Sequence, residues 1–465
     1  MTSLLNALGS GKTSLLSNQK SIEITGNNIA NVNTRGYSRQ TAEMTQIPSV
    51  NFGDFFIGQG VTVTNVNREY SLFINRQLQD KSIEVGVETG KAGVLTELER
   101  IFSVSKNNLA SDINEFFDSW QKLTTNPSGL VERDIVLQRG TQLGDAFARL
   151  TSDMNTVASN LNNEIVSKVE TINEQLSELA RINNRITLVE VSGQTANAAR
   201  DQRDMLVQDL SLTLGVQTYT DNRGMLCVQL PGGKPLVQGN IAAQLNTVST
   251  GNVVNLQLQI SGMTMDVDLD DMGGEFKGMF TARDVFMAGL RDEVNTLAVD
   301  LTSAVNTEHA QGYGADQVGG RLFFEDISAL PPEEIASRRV KLAITKPSEV
   351  AAAGNPEAAP GDNSNALKIA SLEVTHKVQG TNDTFETYYS QVVARVGIEA
   401  SRNDLALSGA KDAALQLQNL RDGRSGVSLE EEMIDLIQYQ RGFESSAKYL
   451  ATVDELMAAL LQLKR

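Results

Sequence analysis

Residues 130–190, LVERDIVLQRGTQLGDAFARLTSDMNTVASNLNNEIVSKVETINEQLSELARINNRITLVE, form the longest periodic run in the chain. Leu143, Phe147, Leu150, Met154, Val157, Leu161, Ile165, Ile172, Leu176, Leu179 and Ile186 recur at spacings of a helical face, and no proline interrupts them. A helix of that span is about 90 Å long at 1.5 Å per residue. Such a rod belongs to an elongated molecule. The fold class expected from it is mainly α, an elongated multidomain α+β chain with a small β domain inserted.

Both chain ends repeat the helical signal in a narrower form. Leu4, Leu8, Leu15, Ile22 and Ile29, with Gly11, Asn18 and Thr25 between them, alternate at spacings near three and four. Leu429, Met433, Leu436, Phe443, Ala447, Leu450, Met457 and Leu461 do the same at the other end. No proline precedes Pro48 or follows Pro360, so long helices are open to both ends. A seam this narrow calls for another helix, not a broad core. The terminal helices are therefore expected to form a coiled coil.

Between the ends the periodicity changes several times. Val61, Val63 and Val66 alternate like a strand, with Gly58 and Gly60 as punctuation. Residues 94–123 read as a helix with Ile113, Phe116, Phe117, Trp120 and Leu123 on its buried face, stopped by Asn126, Pro127 and Gly129. Gly215 marks a break into short β-like runs around DNRG, LPGGKP and a Ser261-Gly262 hairpin turn. Helical spacing resumes at 282–305, and short strands are expected at 321–324 and 340–344. Residues 346–365 read as loop, followed by helices near 364–375 and 383–421, the last turning at Gly423 and Gly426. Ser428 suits a helix N-cap, with Glu431 at the capping-box position. The domains this implies are a terminal-helix unit (1–40 with 423–465), a helical bundle with hairpins (41–212 with 281–422) and a β insertion (213–280).

Composition narrows the function. The net charge of −17 argues against nucleic acid and anionic membrane surfaces as partners. The one cysteine, Cys227, cannot form an internal disulfide. No apolar run reaches transmembrane length, and the first residues lack the features of a cleaved secretory signal. No membrane insertion is expected.

The candidate chemical motifs read as decoys. GSGKT at 9–13 lacks the glycine a phosphate loop needs at Asn6, and no strand precedes it. DVDLDD at 266–271 has Asp271 where a calcium loop turns on glycine, and Lys277 where it needs glutamate. His309 and His376 are too far apart in sequence to suggest metal spacing. Neither cofactor, metal nor catalytic residue is expected, and the chain reads as a non-enzyme.

One segment stands outside these readings. GNNIANVNTRGYSRQ (26–40) packs asparagines, a Thr34-Arg35-Gly36 turn and Tyr37 into the exit of the first helix. It resembles the N-terminal signature of bacterial flagellar rod, hook and hook-associated proteins, and residues 428–463 resemble that family's paired C-terminal helix, above all 438–443 and 446–450. The middle decides between branches. DQRDMLVQDLS (201–211), FKGMFTARD (276–284), VNTEHAQGYG (306–314) and GDNSNALKIASL (361–372) look like the junction-forming, hook-associated branch. The resemblance covers nearly all of the chain except about 215–275, where the outer domain looks trimmed. Another axial subunit (rod, hook or flagellin-like) is the alternative.

The resemblance implies a self-assembling structural subunit that connects hook to filament, with a long-helix bundle like the flagellin core. Its assembly interface would comprise Leu4, Leu8, Leu15, Ile22, Ile29, Asn31, Asn33, Thr34, Gly36, Tyr37, Leu436, Phe443, Leu450 and Met457. Implied partners are other copies, the hook protein, a second junction protein (hook-associated protein 3) and an export chaperone on the C-terminal helix. Secretion through the flagellar type III pathway would need no cleaved signal. A lone seam buries too little apolar surface to offset chain entropy, so free monomers need not order their ends. Several of these residues also have plain structural roles. Gly36 suits a positive φ and Tyr37 suits packing at a helix end. Arg35 and Arg39 suit pairing with acidic neighbours or solvent, and Arg203 with Asp204 suits a surface ion pair.

Overall fold

A computed structural model describes residues 2–51, 55–103, 108–251, 253–330 and 339–462. The rod is helix α4, Leu130–Val191, within a residue of the span its apolar stripe indicates at each end. Every member of that stripe is buried, because α4 is covered along its length by other elements. The helix before it, α3 (Leu109–Thr125), begins where Asn108 accepts a hydrogen bond from the Ser111 amide and ends at Asn126.

A cluster of aromatic side chains lies against α3 where it meets α4. Phe116, Phe117 and Trp120 are fully buried with Phe323 and Phe324. Phe116 meets Trp120 edge-on at 6.4 Å, and Phe323 meets Phe324 edge-on at 4.8 Å. Each buried side chain of this size contributes about 1.5–3 kcal/mol over the exposed state. His309 sits at the edge of the cluster. Its Nδ1 donates to Arg321 O at 2.8 Å and its Nε2 accepts from Ala351 N at 3.0 Å, so the neutral ring ties two loops together.

A second helix layer is packed through small residues. Helix α2 (Leu72–Ile101) buries Ser82, Gly86 and Gly90, and a Cβ on Gly86 or Gly90 would collide with backbone of residues 212 and 275. The 94–123 helix of the sequence reading is thus two helices, α2 and α3, separated at Phe102 and Asn108. Periodicity failed here because α2 buries glycine and serine where a larger side chain would not fit. Helix α5 (Asn197–Leu214) ends at Gly215 in the left-handed region, φ 68°.

Seven strands follow. A four-stranded meander runs through β5 (Gln217–Thr220), β6 (Leu226–Gln229), β7 (Pro235–Gln238) and β8 (Ile241–Ala242). A three-stranded sheet holds β9 (Gln244–Thr250), β10 (Val253–Ile260) and β11 (Met263–Val267), with β10 central. Ser261 and Gly262 have φ of 49° and 84°, and Ile260 pairs with Met263, as a two-residue hairpin turn requires. The strands share one hydrophobic core with the helices. Asn173 and Asn183 of α4 bond backbone groups of Leu245, Leu226 and Gly239, which seats the sheets on the rod.

The chain returns to helix earlier than periodicity suggests. Helix α6 (Gly274–Thr281) leads through a π-helical turn, Ala282–Met287, into α7 (Ala288–Gln311). That turn carries buried Arg283, whose Nη1 donates to Asn162 Oδ1 and Val254 O, both at 2.7 Å. The strands expected at 321–324 and 340–344 reduce to one bridge between Phe324 and Leu342. The Asn306 side chain accepts from the amides of Phe323 and Phe324 and replaces a ladder there. Helices α8 (Ser364–Thr375) and α9 (Phe385–Ser425) complete the body. Gly423 lies inside α9, and the stop is Gly426, whose extended φ of −79° needs no left-handed turn.

Candidate assembly site

The terminal helices, α1 (Thr2–Ala30) and α10 (Leu429–Gln462), pair within one chain and form the most extensive contact between any two elements. They run antiparallel. Gly11 lies against Leu450, Ser14 bonds Ser446 at 2.9 Å, Asn18 abuts Gly442 and Asn28 bonds Glu432 at 2.9 Å. The paired numbers sum to 460 or 461 each time, so the register holds without a slip. On α10 the inward positions are Glu432, Leu436, Tyr439, Phe443, Ser446, Leu450, Val453 and Met457, alternating by four and three. That is the 3.5-residue repeat of a coiled coil.

The chemistry of the seam differs from the one read off leucine spacing. The buried residues of α1 are Gly11, Ser17, Ser21, Thr25 and Asn28. Leu4, Leu8, Leu15, Ile22 and Ile29 are half-buried, as are Leu436, Phe443, Leu450 and Met457 across from them. Small residues bring the backbones together. A Cβ on Gly11 would stand 2.9 Å from Leu450 Cδ2, and one on Gly442 would stand 2.6 Å from Asn18 Oδ1. Apolar side chains are meanwhile left facing outward. Leu5, Leu16, Met433, Ile434, Ile437, Leu456 and Leu460 are all exposed. The pair therefore closes on itself with modest apolar burial and keeps a second apolar surface.

A polar node fixes this pair to the body. It begins at the hairpin of β1 (Gln40–Gln46) and β4 (Val61–Arg68), joined through β2 (Val50–Asn51) and β3 (Phe56–Ile57). Asn28 is its hub. Its Nδ2 donates to Gln40 O and Glu432 Oε2, each at 2.9 Å, and its Oδ1 accepts from Tyr37 Oη at 2.8 Å and Gln40 N at 3.0 Å. Arg39 donates to Glu432 at 2.6 Å, and to Glu431 and Asp435 at 3.1 Å each. Arg39 N also donates to Ser425 O at 2.9 Å. The glutamates that open α10 thus serve Arg39 across the molecule. Burial, with Asp201 and Glu432 nearby, pushes the Tyr37 hydroxyl up to about 12 and keeps it a donor.

The same node reaches α5. Ser38 donates to Asp201 through its amide at 3.1 Å and its hydroxyl at 2.8 Å. Arg68 bridges Asp201 and Asp204 at 2.7 Å each and lies over the Tyr70 ring at 4.2 Å. Burial opposes the charge on Arg68, but the two aspartates offset it and hold the guanidinium above its ordinary value. Gly36 has φ 78°, and a Cβ there would strike the Met205 side chain. Arg35 pairs with Asp209 at 3.1 Å and Arg203 with Asp204 at 3.4 Å, both among partly exposed groups. Asn31 bonds Asn27, and Thr34 bonds Asn31, as local turn chemistry. Asn33 is exposed.

The other motifs fall away from any site. Lys12 of GSGKT is exposed on the helix α1. Asp271 accepts from Lys234. Among the described residues no group of three His, Cys, Asp or Glu could hold a metal ion, and no helix is long and apolar enough to cross a membrane. Cys227 is buried and free.

Both chain ends thus form one helix pair, locked by an asparagine-arginine node to a body of long helices. Residues 13–37 match the family model of flagella basal body rod proteins, and residues 423–463 match the C-terminal model of flagellar basal body rod FlgEFG proteins. Residues 95–324 match the helical domain of the flagellar hook-associated protein FlgK. The chain belongs to the FlgK family of hook-associated proteins and is a structural subunit of the flagellum. Flagellar hook-associated protein 1 of Bacillus subtilis (strain 168) is 26% identical, with 98% of each chain covered. That of Escherichia coli (strain K12) is 24% identical with both chains covered fully, over an alignment of 550 positions. The alignment is longer than this chain, so the relative carries positions without a counterpart here. The structure of the flagellar hook junction protein FlgK from Burkholderia pseudomallei superposes with a TM-score of 0.67 at 16% identity, over 76% of this chain and all of that one.

Proposed function

We infer that this chain forms the layer joining hook to filament, building it by self-assembly of copies. The observation that supports this most is the terminal pair: it closes within one chain yet keeps an outward apolar surface along both helices. Exposed leucines in register on a paired helix are a surface for further helices. Neighbouring copies cover that surface, and Leu4, Leu8, Leu15, Ile22, Ile29, Leu436, Phe443, Leu450 and Met457 supply the inner packing of each subunit. Asn31, Asn33, Thr34, Gly36 and Tyr37 shape the bend between the inner tube and the helical body.

A layer between unlike structures must be heterologous, meeting one neighbour with one face and a different neighbour with another. The hook protein lies below and a second junction protein, hook-associated protein 3, lies above. Before export by the flagellar type III pathway, a chaperone covers the C-terminal helix, whose bare apolar face would otherwise associate. Deletion of the gene in the source bacterium tests the assignment. The expected result is complete hooks, no filaments and flagellin in the medium. Loss of hooks would contradict it and indicate a rod or hook subunit.

A further inference from the structure

Two surfaces of this chain are left unpartnered within it and are opposite in charge. One is a cleft between the start of α2, β4 and α5, lined by Arg68, Arg76, Arg200 and Arg203. Three of these arginines share Asp201, Asp204 and Glu190, while Arg203 keeps a buried Nε without a hydrogen-bond partner. Arg76 makes no hydrogen bond or ion pair with any described residue. At the rim, Leu72 is 64% and Phe73 70% exposed, although they open a helix whose other face is core.

The other surface is the first two turns of α10. Glu431, Glu432 and Asp435 share a single guanidinium, that of Arg39, and Glu430 has no partner among the described residues. Beside it Leu429 and Met433 are each 48% exposed and Ile434 is 65% exposed. Each surface thus has an apolar patch with unspent charge at its edge, positive on one and negative on the other. That is the anatomy of a protein interface, with an apolar centre and a charged rim that sets register.

Copies with a net charge of −17 repel one another on average, so a stable contact needs a local patch of opposite sign. We propose that copies of this chain join side to side, with the start of α10 of one copy seated on the Arg76 cleft of the next. Glu430 meets Arg76, and Met433 and Ile434 lie on Leu72 and Phe73. Because the two surfaces differ, the contact is head-to-tail and can run around a closed or helical layer. This rests on the self-assembly reading above and names the surfaces that carry it.

The test uses the full chain in flagella of the source bacterium. Arg76 and Glu430 are exposed and unpaired, so neither substitution threatens the fold. With Arg76→Cys and Glu430→Cys in one chain, mild oxidation should give a ladder of disulfide-linked copies on a non-reducing gel, and neither single variant should. Buried Cys227 leaves little background. Arg76→Glu alone and Glu430→Arg alone should each reduce the chain recovered in flagella several-fold, and the two together should restore it. Flagella that contain the double-cysteine chain without a ladder, or a charge swap no better than its worse single change, would overturn the proposal while leaving self-assembly intact. Absence of even the unaltered chain from flagella would overturn the assembly reading and the proposal with it.

Discussion

The helical body and the terminal pair are both built on helical repeats, yet they bury different chemistry. In the body the repeat is filled by Leu, Ile, Phe and Trp, and the stripe of α4 is covered from Leu143 to Ile186. In the terminal pair the covered positions are Gly11, Ser17, Ser21, Thr25, Asn28, Glu432 and Ser446, with Val453 the one large apolar side chain fully buried on α10. The difference teaches what each part is for. A core of large apolar side chains stabilises a subunit by itself. A seam of small and polar residues fixes register and leaves apolar surface uncovered, the surface proposed for neighbouring copies.

The largest effect expected inside that contrast is in the body. Phe116→Ala empties a fully buried ring position between Trp120 and Phe323 and should cost about 3–5 kcal/mol in denaturant unfolding of the body. A loss below about 1 kcal/mol would mean the aromatic cluster does not hold the body, and the contrast would weaken.

Acid should act next, and again on the body. Burial pushes the His309 imidazole from 6.5 down to about 4. Between those values the unfolded chain takes up a proton that the folded chain refuses. The stability His309 contributes is therefore present above about pH 6.5 and lost as pH falls toward 4, on the order of 3 kcal/mol at 1.36 kcal/mol per pKa unit. Thermal unfolding followed across that window should fall less steeply in His309→Gln. Equal slopes in both proteins would place the acid response elsewhere.

A smaller effect is expected at the node between the two parts. Glu432→Ala removes the acceptor that Asn28 and Arg39 share, at about 1–3 kcal/mol. The loss should appear as faster amide hydrogen exchange in α1 and α10, with the body unchanged. Faster exchange throughout α4 would show that the node is part of the body's own fold.

Much of this was legible in the chain itself, for physical reasons. α4 was readable because large side chains buried on one face leave a period that nothing else imitates. The ends of α5 and of the β10–β11 hairpin were readable because Gly215 and Ser261-Gly262 take backbone angles that few residues accept. The first part of α2 stayed hidden because its contact face there is mostly Ser82, Gly86 and Gly90, which carry no apolar signal. The node stayed hidden because its members lie far apart in sequence, Asn28 and Glu432 by 404 positions and Ser38 and Asp201 by 163. A clue was present nonetheless. Carrying the seam spacing three residues past Thr25 reaches Asn28, and four residues before Leu436 reaches Glu432. Polar residues at seam positions are the mark of a specified register.

The central claim is that the ends assemble the layer and the body only carries them. Leu450→Asp tests it most directly, because Leu450 packs against Gly11 in the seam between the two terminal helices. The account predicts that this chain melts with an unchanged transition of the body yet fails to enter flagella and leaves hooks without filaments. An earlier melting transition of the body, or normal filaments built on the altered chain, would contradict it.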